Sequence, residues 1–325
     1  MKHPALLISI AIAASCAYCA GYSLSFGGIA LIMATGVAIV GLPHGGMDHR
    51  IGISTVAHLA RTARRQNKPA MLAVFMGLYL LLAAVVIAGW YISPLFTISS
   101  FFVLAAWHFG LEEESTVGRL SWIDQLGVIA RGGMVIWCTA LFRPAEVTSL
   151  LQTILPGNSA ASSQIVLGLS VLSPVFAGLL AHDLIRCLGK LSRRDGFLSV
   201  LRIGSFALMF AICPVLLSFT IYFCGWHSIR GLINLRHSYE GSTKQLMRQL
   251  VPMSLLAILL FFGGFVFFRS ELGAADATVR TIFIGLSAVA VPHLLLHVVD
   301  DFLVSPQRAE NHHGGNHVAA EVAAW

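Results

Sequence analysis

The chain has 325 residues, of which 57% are hydrophobic and only 11% charged, and its mean hydropathy is +0.79. Soluble domains carry about 25% charged residues, and this much apolar surface exceeds what one water-facing globule can hide, so soluble enzymes, coiled coils, disulfide scaffolds and disordered regulators are excluded. The formal charge of +6 does not indicate nucleic acid, because the bases sit in short clusters between apolar runs, the positive-inside pattern of a membrane protein.

Unbroken runs such as Met71–Trp90 and Pro252–Phe268 approach the roughly 20 residues of a spanning helix and lack the ten-residue alternation of a membrane barrel. The first run, Ala5–Ala20 behind Met1, Lys2 and His3, has the outline of a signal peptide. No small-residue cleavage site follows, so it is read as a helix. Further apolar runs lie at about 24–41, 70–92, 95–110, 124–142, 165–185, 199–217, 218–235, 250–268 and 281–299. The predicted fold is an all-α, polytopic transmembrane bundle of about ten helices, or eight to nine if short neighbours merge. Three basic clusters mark cytoplasmic loops: Arg50 to Lys68, Arg186 to Arg194, and Arg236 with Lys244 and Arg248. Alternation of the helices then leaves both termini in the cytoplasm, as a multi-pass protein of the bacterial inner membrane. Residues 1–304 read as one domain, and 305–325, with His312, His313 and His317, as a mobile tail. The six cysteines fall mostly within apolar runs and read as structural.

Ionisable residues at bilayer depth are costly and mark function. His44 stands in Pro43-His44-Gly45-Gly46-Met47-Asp48, His108 in Trp107-His108-Phe109-Gly110, and His227 in Trp226-His227-Ser228, with His237 beyond it. In the predicted topology His44, His108 and His237 come near the cytoplasmic ends of their helices, with His227 about two turns deeper, so that the four can converge on one layer. Imidazoles meeting in an apolar interior suit iron, copper or zinc. His293 and His297, four apart on one helix face, are alternative ligands. Asp48, Glu112 and Glu113 are expected to fix ring tautomers from behind. Trp107, Phe109, Tyr222 and Trp226 are the candidate walls of a channel for a long apolar substrate. Taken singly, each histidine reads equally as an interfacial hydrogen-bonding residue, and each aromatic as lipid-facing packing.

The segments containing His44, His108 and His227, followed by Pro292-His293, resemble in order the Brp/Blh family of membrane β-carotene 15,15′-dioxygenases, over residues 36 to 300. The resemblance implies a ferrous ion held by histidines. O2 would cleave the central double bond of β-carotene to two retinal molecules, with a rhodopsin as acceptor. By match His44, His108 and His227 are the ligands, and no side chain is required as acid or base. The family pattern has a further histidine four residues after the His227 position. Here Gly231 stands there, and Glu113 replaces the usual Asp. His237 is ten residues after His227 and about 80° round the helix, so it serves only if the helix bends. Divergence at Gly231 leaves open an inactive relative, or one that binds another carotenoid. A cytochrome b and a metal transporter are weaker alternatives from other classes.

Overall fold

The computed structural model describes residues 3–59, 68–113, 120–155, 157, 159–189, 191–239 and 241–300. Among the described residues the regular structure is helical throughout, as hydrocarbon requires of a chain that must satisfy its own backbone groups. Helix α1 (His3–Cys19) precedes α2 (Phe26–Gly36), which starts where the Ser25 hydroxyl accepts from the Gly28 N–H at 3.2 Å. A π-helical turn, Val37–Gly41, leads without a break into α3 (Leu42–His44). After a turn the chain resumes as α4 (Asp48–Leu59). Two long helices follow, α5 (Lys68–Ile92) and α6 (Pro94–Glu112), then α7 (Trp122–Gly132) and α8 (Met134–Phe142), which meet at a 60° bend. The remainder comprises α9 (Pro144–Ile154), α10 (Ser159–Leu188), α11 (Arg193–Ile212) and α12 (Val215–Thr220), a second π-helical segment (Ile221–Ser228), α13 (Ile229–Ser238), α14 (Thr243–Arg269) and α15 (Ala274–Val299).

The starts are written locally. Reciprocal capping boxes open α7 (Ser121 with Asp124) and α14 (Ser242 with Gln245), and proline occupies the first turn of α6 and α9. The α7–α8 bend falls at Gly132-Gly133, a pair that weakens the helical ladder. A Cβ at Gly132 would strike the Ala106 carbonyl and the Gly110 backbone, and one at Gly110 would strike the Val128 carbonyl. Helices α6 and α7 therefore meet backbone to backbone, the close approach that small residues allow in membranes.

Among the described residues seven helices are long and apolar enough to cross a membrane, or eight if the bent α7–α8 pair is one span. This is a multi-pass arrangement, at the lower end of the expected number. The run at 5–20 yields a short apolar helix, and the run at 218–235 is interrupted by its π-helical segment. The loop expected after His49 is helix α4 as far as Leu59, because its apolar positions still find partners against α5. Residues 60–67 and the tail expected at 305–325 lie outside the described residues.

The bundle is sided as a bilayer demands. Leu78, Leu81 and Val85 of α5, Val171 of α10 and Leu259 and Phe262 of α14 are exposed, while Met33, Ile98, Met209, Phe210 and Val279 are buried. The chain from α12 through the second π-helical segment is well enclosed, with Leu216, Tyr222, Phe223, Trp226 and His227 all buried. Arg50 reaches Gln249 at 3.1 Å and lies over Tyr239, which brings the ends of α4, α13 and α14 together.

Candidate metal centre

The two π-helical segments pack on one another. Such segments widen the helix and redirect the side chains that follow, and they recur at functional sites. One precedes His44 and the other contains His227, so both histidines are turned toward the C-terminal turn of α6, where His108 lies. The His44 and His227 ring centroids are 5.0 Å apart and those of His108 and His227 5.1 Å, both edge-on. Glu112, one turn beyond His108, completes the group. Its Oε1 is 3.1 Å from His44 Nε2 and 3.7 Å from His108 Nε2, and its Oε2 is 2.9 Å from His227 Nδ1. One donor atom from each of the four residues lies within 4.8 Å of all the others.

Both ring nitrogens of His44, and Nε2 of His108, are buried without a hydrogen-bond partner. Each such orphan costs about 1–3 kcal/mol if nothing binds it. A borderline transition metal removes that cost, since imidazole nitrogen suits iron, copper and zinc. The residues present therefore fit a metal ion.

A second group adjoins the first. His293 of α15 has Nδ1 2.8 and 2.9 Å from the two Asp48 oxygens, and the Tyr79 hydroxyl lies 3.2 Å from Asp48 Oδ2 and 3.0 Å from the Val289 carbonyl. With Nδ1–H donating to Asp48, the Nε2 of His293 is the ring nitrogen free to accept. The His293 ring borders those of His108 and His44 at 5.4 and 5.7 Å, and His297 packs behind it at 4.6 Å. Asp48, His293 and His297 form their own potential ligand group.

Glu113 faces away from the histidines. Its Oε1 accepts from Trp226 Nε1 at 2.6 Å and lies 3.4 Å from the Tyr222 hydroxyl, while its Oε2 is 3.3 Å from Arg202. Arg131 lies 3.9 Å from the same oxygen, pairs with Asp183 at 2.7 Å and donates to the Gly110 carbonyl at 3.0 Å. Arg186 closes the network on Asp183 at 2.6 Å. Arg131 and Arg202 are thus paired with carboxylates inside the bundle. Glu113 anchors the segment that carries His227.

A cavity of about 260 Å³ opens beside the centre, bordered by His44, His108, His227 and His293 and otherwise mostly by apolar side chains. Of the expected channel walls only Phe109 borders it. Trp107, Tyr222 and Trp226 do not, because Tyr222 and Trp226 turn their polar atoms to Glu113 on the opposite side of their helix. Phe101, Phe219, Phe223 and Phe283 take that place. His237 also stands apart, exposed on α13, since the helix carries on past Gly231 without the bend that would bring it inward.

Sequence reasoning missed the π-helical segments, which no hydrophobic period announces, and Tyr79, an unremarked residue in the longest apolar run. It expected Glu112 behind the rings, whereas the carboxylate lies within 3.7 Å of nitrogens of three of them. The signal was available in the spacing, since His108 and Glu112 are four apart on one face.

No solved structure matches the chain. A β-carotene 15,15′-dioxygenase from an uncultured marine bacterium, 66A03, is 29% identical over 273 residues, 83% of this chain and 92% of the relative. The family model described as beta-carotene 15,15′-dioxygenase matches residues 35–300, a span that contains His44, His108, Glu112, His227 and His293. By that match over most of its length, the chain belongs to the β-carotene 15,15′-dioxygenase family.

Proposed function

We propose that this chain is an iron-dependent dioxygenase of the bacterial inner membrane that cleaves β-carotene at its central 15,15′ double bond to give two molecules of retinal. The observation that carries the reading is a set of buried imidazole nitrogens without hydrogen-bond partners, opening onto an apolar cavity, in a member of this family. His44, His108 and His227 would hold Fe(2+). Bound there, iron supplies the redox chemistry that lets ground-state O2 react with a closed-shell alkene.

The chain's own residues do the rest. Phe101, Phe109, Phe219 and Phe223 give the cavity aromatic walls against which a polyene lies flat, and held in one register it presents one bond to the histidines. The apolar lining keeps water from that bond. No side chain has to move a proton, because one C=C becomes two C=O and each carbon keeps its hydrogen. The substrate reaches the cavity laterally from the bilayer, and retinal returns to it, where a retinal-binding membrane protein such as a rhodopsin would take it up. A haem site does not suit this geometry. Edge-on rings with centroids 5.0 to 5.7 Å apart leave no slot for a porphyrin between a facing pair.

The test is retinal formation, followed by chromatography, in a bacterial host that accumulates β-carotene and expresses the chain or its His44→Ala and His108→Ala variants. Retinal from the parent alone is the expected result. Retinal from both variants at the parental level would sink the ligand assignment, and none from the parent would sink the substrate.

A further inference from the structure

We propose that Glu112 is itself a ligand of the metal, so that the centre is built from three imidazoles and one carboxylate. The inference rests on the reading of His44, His108 and His227 as ligands and goes beyond it by assigning the remaining protein position.

Three observations carry it. The first is distance. Donor atoms about 2.1 Å from a common ion are separated from their neighbours by about 3.0 Å in octahedral and 3.4 Å in tetrahedral arrangements, given the bond lengths usual for imidazole and carboxylate. Glu112 Oε1 lies 3.1 and 3.7 Å from His44 Nε2 and His108 Nε2, distances that scatter about those edges, while its Oε2 lies 2.9 Å from His227 Nδ1. The second is direction. A carboxylate that served only to orient rings would accept an N–H from each. Only His227 Nδ1, 2.9 Å from Oε2, is well placed to donate; His44 Nε2 and His108 Nε2 lie beside Oε1 without a well-aligned hydrogen bond to it. Buried polar groups normally find such partners. Atoms that crowd together without bonding to each other are aimed at a shared point.

The third is the state of the other candidates. His293 keeps its Nε2 free, but it falls in the separate group with Asp48 and His297 and outside the set of four whose donors lie within 4.8 Å of one another. Position 231 offers nothing, and its surroundings explain why. A Cβ there would fall within the van der Waals envelope of His44 Cε1 and Nδ1, so the His44 ring fills the space that a side chain on α13 would need. An imidazole from 231 and the ring of His44 in this position exclude one another. Glu112 reaches the same centre from α6, where His108 already holds the helix in place. Its charge also offsets part of the dication's in a poorly solvated interior, an advantage no fourth imidazole has.

The test uses the full-length protein purified in detergent and stripped of metal, then titrated with Fe(2+) and, as a coloured stand-in, Co(2+). The parent is compared with His44→Ala, Glu112→Ala and Glu112→His. The parent should bind one ion and His44→Ala none. Glu112→Ala should lose affinity by more than the roughly 10–100-fold that an orienting partner costs. Glu112→His, which offers a new donor, should recover most of that affinity, with Co(2+) absorption bands displaced from the parent's as nitrogen replaces oxygen. Parental bands and affinity in Glu112→Ala would overturn the assignment of Glu112 while leaving the histidine reading intact. A parent that binds neither ion, or a His44→Ala variant that binds as well as the parent, would remove the histidine reading and this inference together.

Discussion

Gly231→Ala adds one methyl group and should be among the most damaging small changes in the chain. The new Cβ would overlap His44 Cε1 and Nδ1 and stand 3.1 Å from its Nε2. Carbon contacts settle near 3.5–4.0 Å, so the ring must retreat by more than about an ångström. It has few places to go, with the His227 and His293 rings at 5.0 and 5.7 Å and Glu112 at 3.1 Å. A misplacement of about 1 Å in a reacting group costs roughly 10²-fold in rate, or about 2.7 kcal/mol at about 1.36 kcal/mol per tenfold. Overpacking of this kind costs roughly 1–3 kcal/mol, offset in part because position 231 lies within α13, where alanine is preferred to glycine by about 0.5–1 kcal/mol. Gly231→Ala should therefore still be inserted and folded, with at most a modestly lower melting temperature, while losing about 99% of its retinal formation and much of its bound metal. The assay is retinal yield per unit of protein, with metal content and melting temperature in detergent measured on the same preparations. Parental turnover and metal content in Gly231→Ala would refute the placement of His44 against α13, and with it the claim that an imidazole cannot be added at 231.

Other expectations follow from the same geometry. Ala105→Phe fills the cavity about one turn from His108 and should abolish β-carotene turnover while metal binding stays within about threefold of the parent, measured by titration. Glu113→Gln removes the charge that gathers Trp226, Tyr222 and Arg202. Hydrogen bonds to charged groups are worth about 1.5–3 kcal/mol, and the loosened segment should lower retinal yield more than tenfold with protein still in the membrane. Asp183→Asn uncovers Arg131 and Arg186 in the interior and should cost about 3–5 kcal/mol of stability, read as a lower melting temperature. Asp48→Asn frees the His293 ring that borders those of His44 and His108 and should weaken metal affinity, measured by titration, by less than the roughly 10–100-fold that loss of a ligand's own orienting partner costs.

What the sequence made legible was chemistry that a bilayer makes expensive. A histidine in hydrocarbon stands out against leucine and valine whatever the helix around it does, so His44, His108 and His227 were found without knowing how they meet. What it concealed was anything that depends on turn-by-turn geometry. Hydropathy reads a run of apolar residues in the same way whether the backbone is α-helical or π-helical, so Val37–Gly41 and Ile221–Ser228 left no trace. His237 was weighed by angle on an α-helix, and the angle was sound; what failed was the bend the ligand reading needed, because α13 has no cause to end before Ser238. The aromatic walls were misjudged for another reason. Trp226 and Tyr222 carry polar atoms, and in an apolar interior those atoms are drawn to the nearest buried charge, leaving the cavity to phenylalanines that have nothing to satisfy.

Glu112 and Glu113 show how far one residue step separates two tasks. A helix turns by about 100° per residue, so adjacent carboxylates on the last turn of α6 cannot serve the same partners. Glu112 falls on the face of His108 and enters the group of imidazoles, while Glu113 faces Arg131, Arg202 and Trp226. Two glutamates side by side at bilayer depth would repel and resist burial if both met the same surroundings. Here each has its own compensation, arginines for one and, in the proposed holo state, a metal dication for the other. The network also ties the two sides together. Arg131 holds the C-terminal turn of α6 through the Gly110 carbonyl, and Glu113 holds the His227 segment through Trp226, so the ion pairs of α7, α10 and α11 fix the spacing between His108 and His227. Loss of that buried charge network should therefore be felt first at the centre, as weakened metal retention at temperatures where the bundle is still folded.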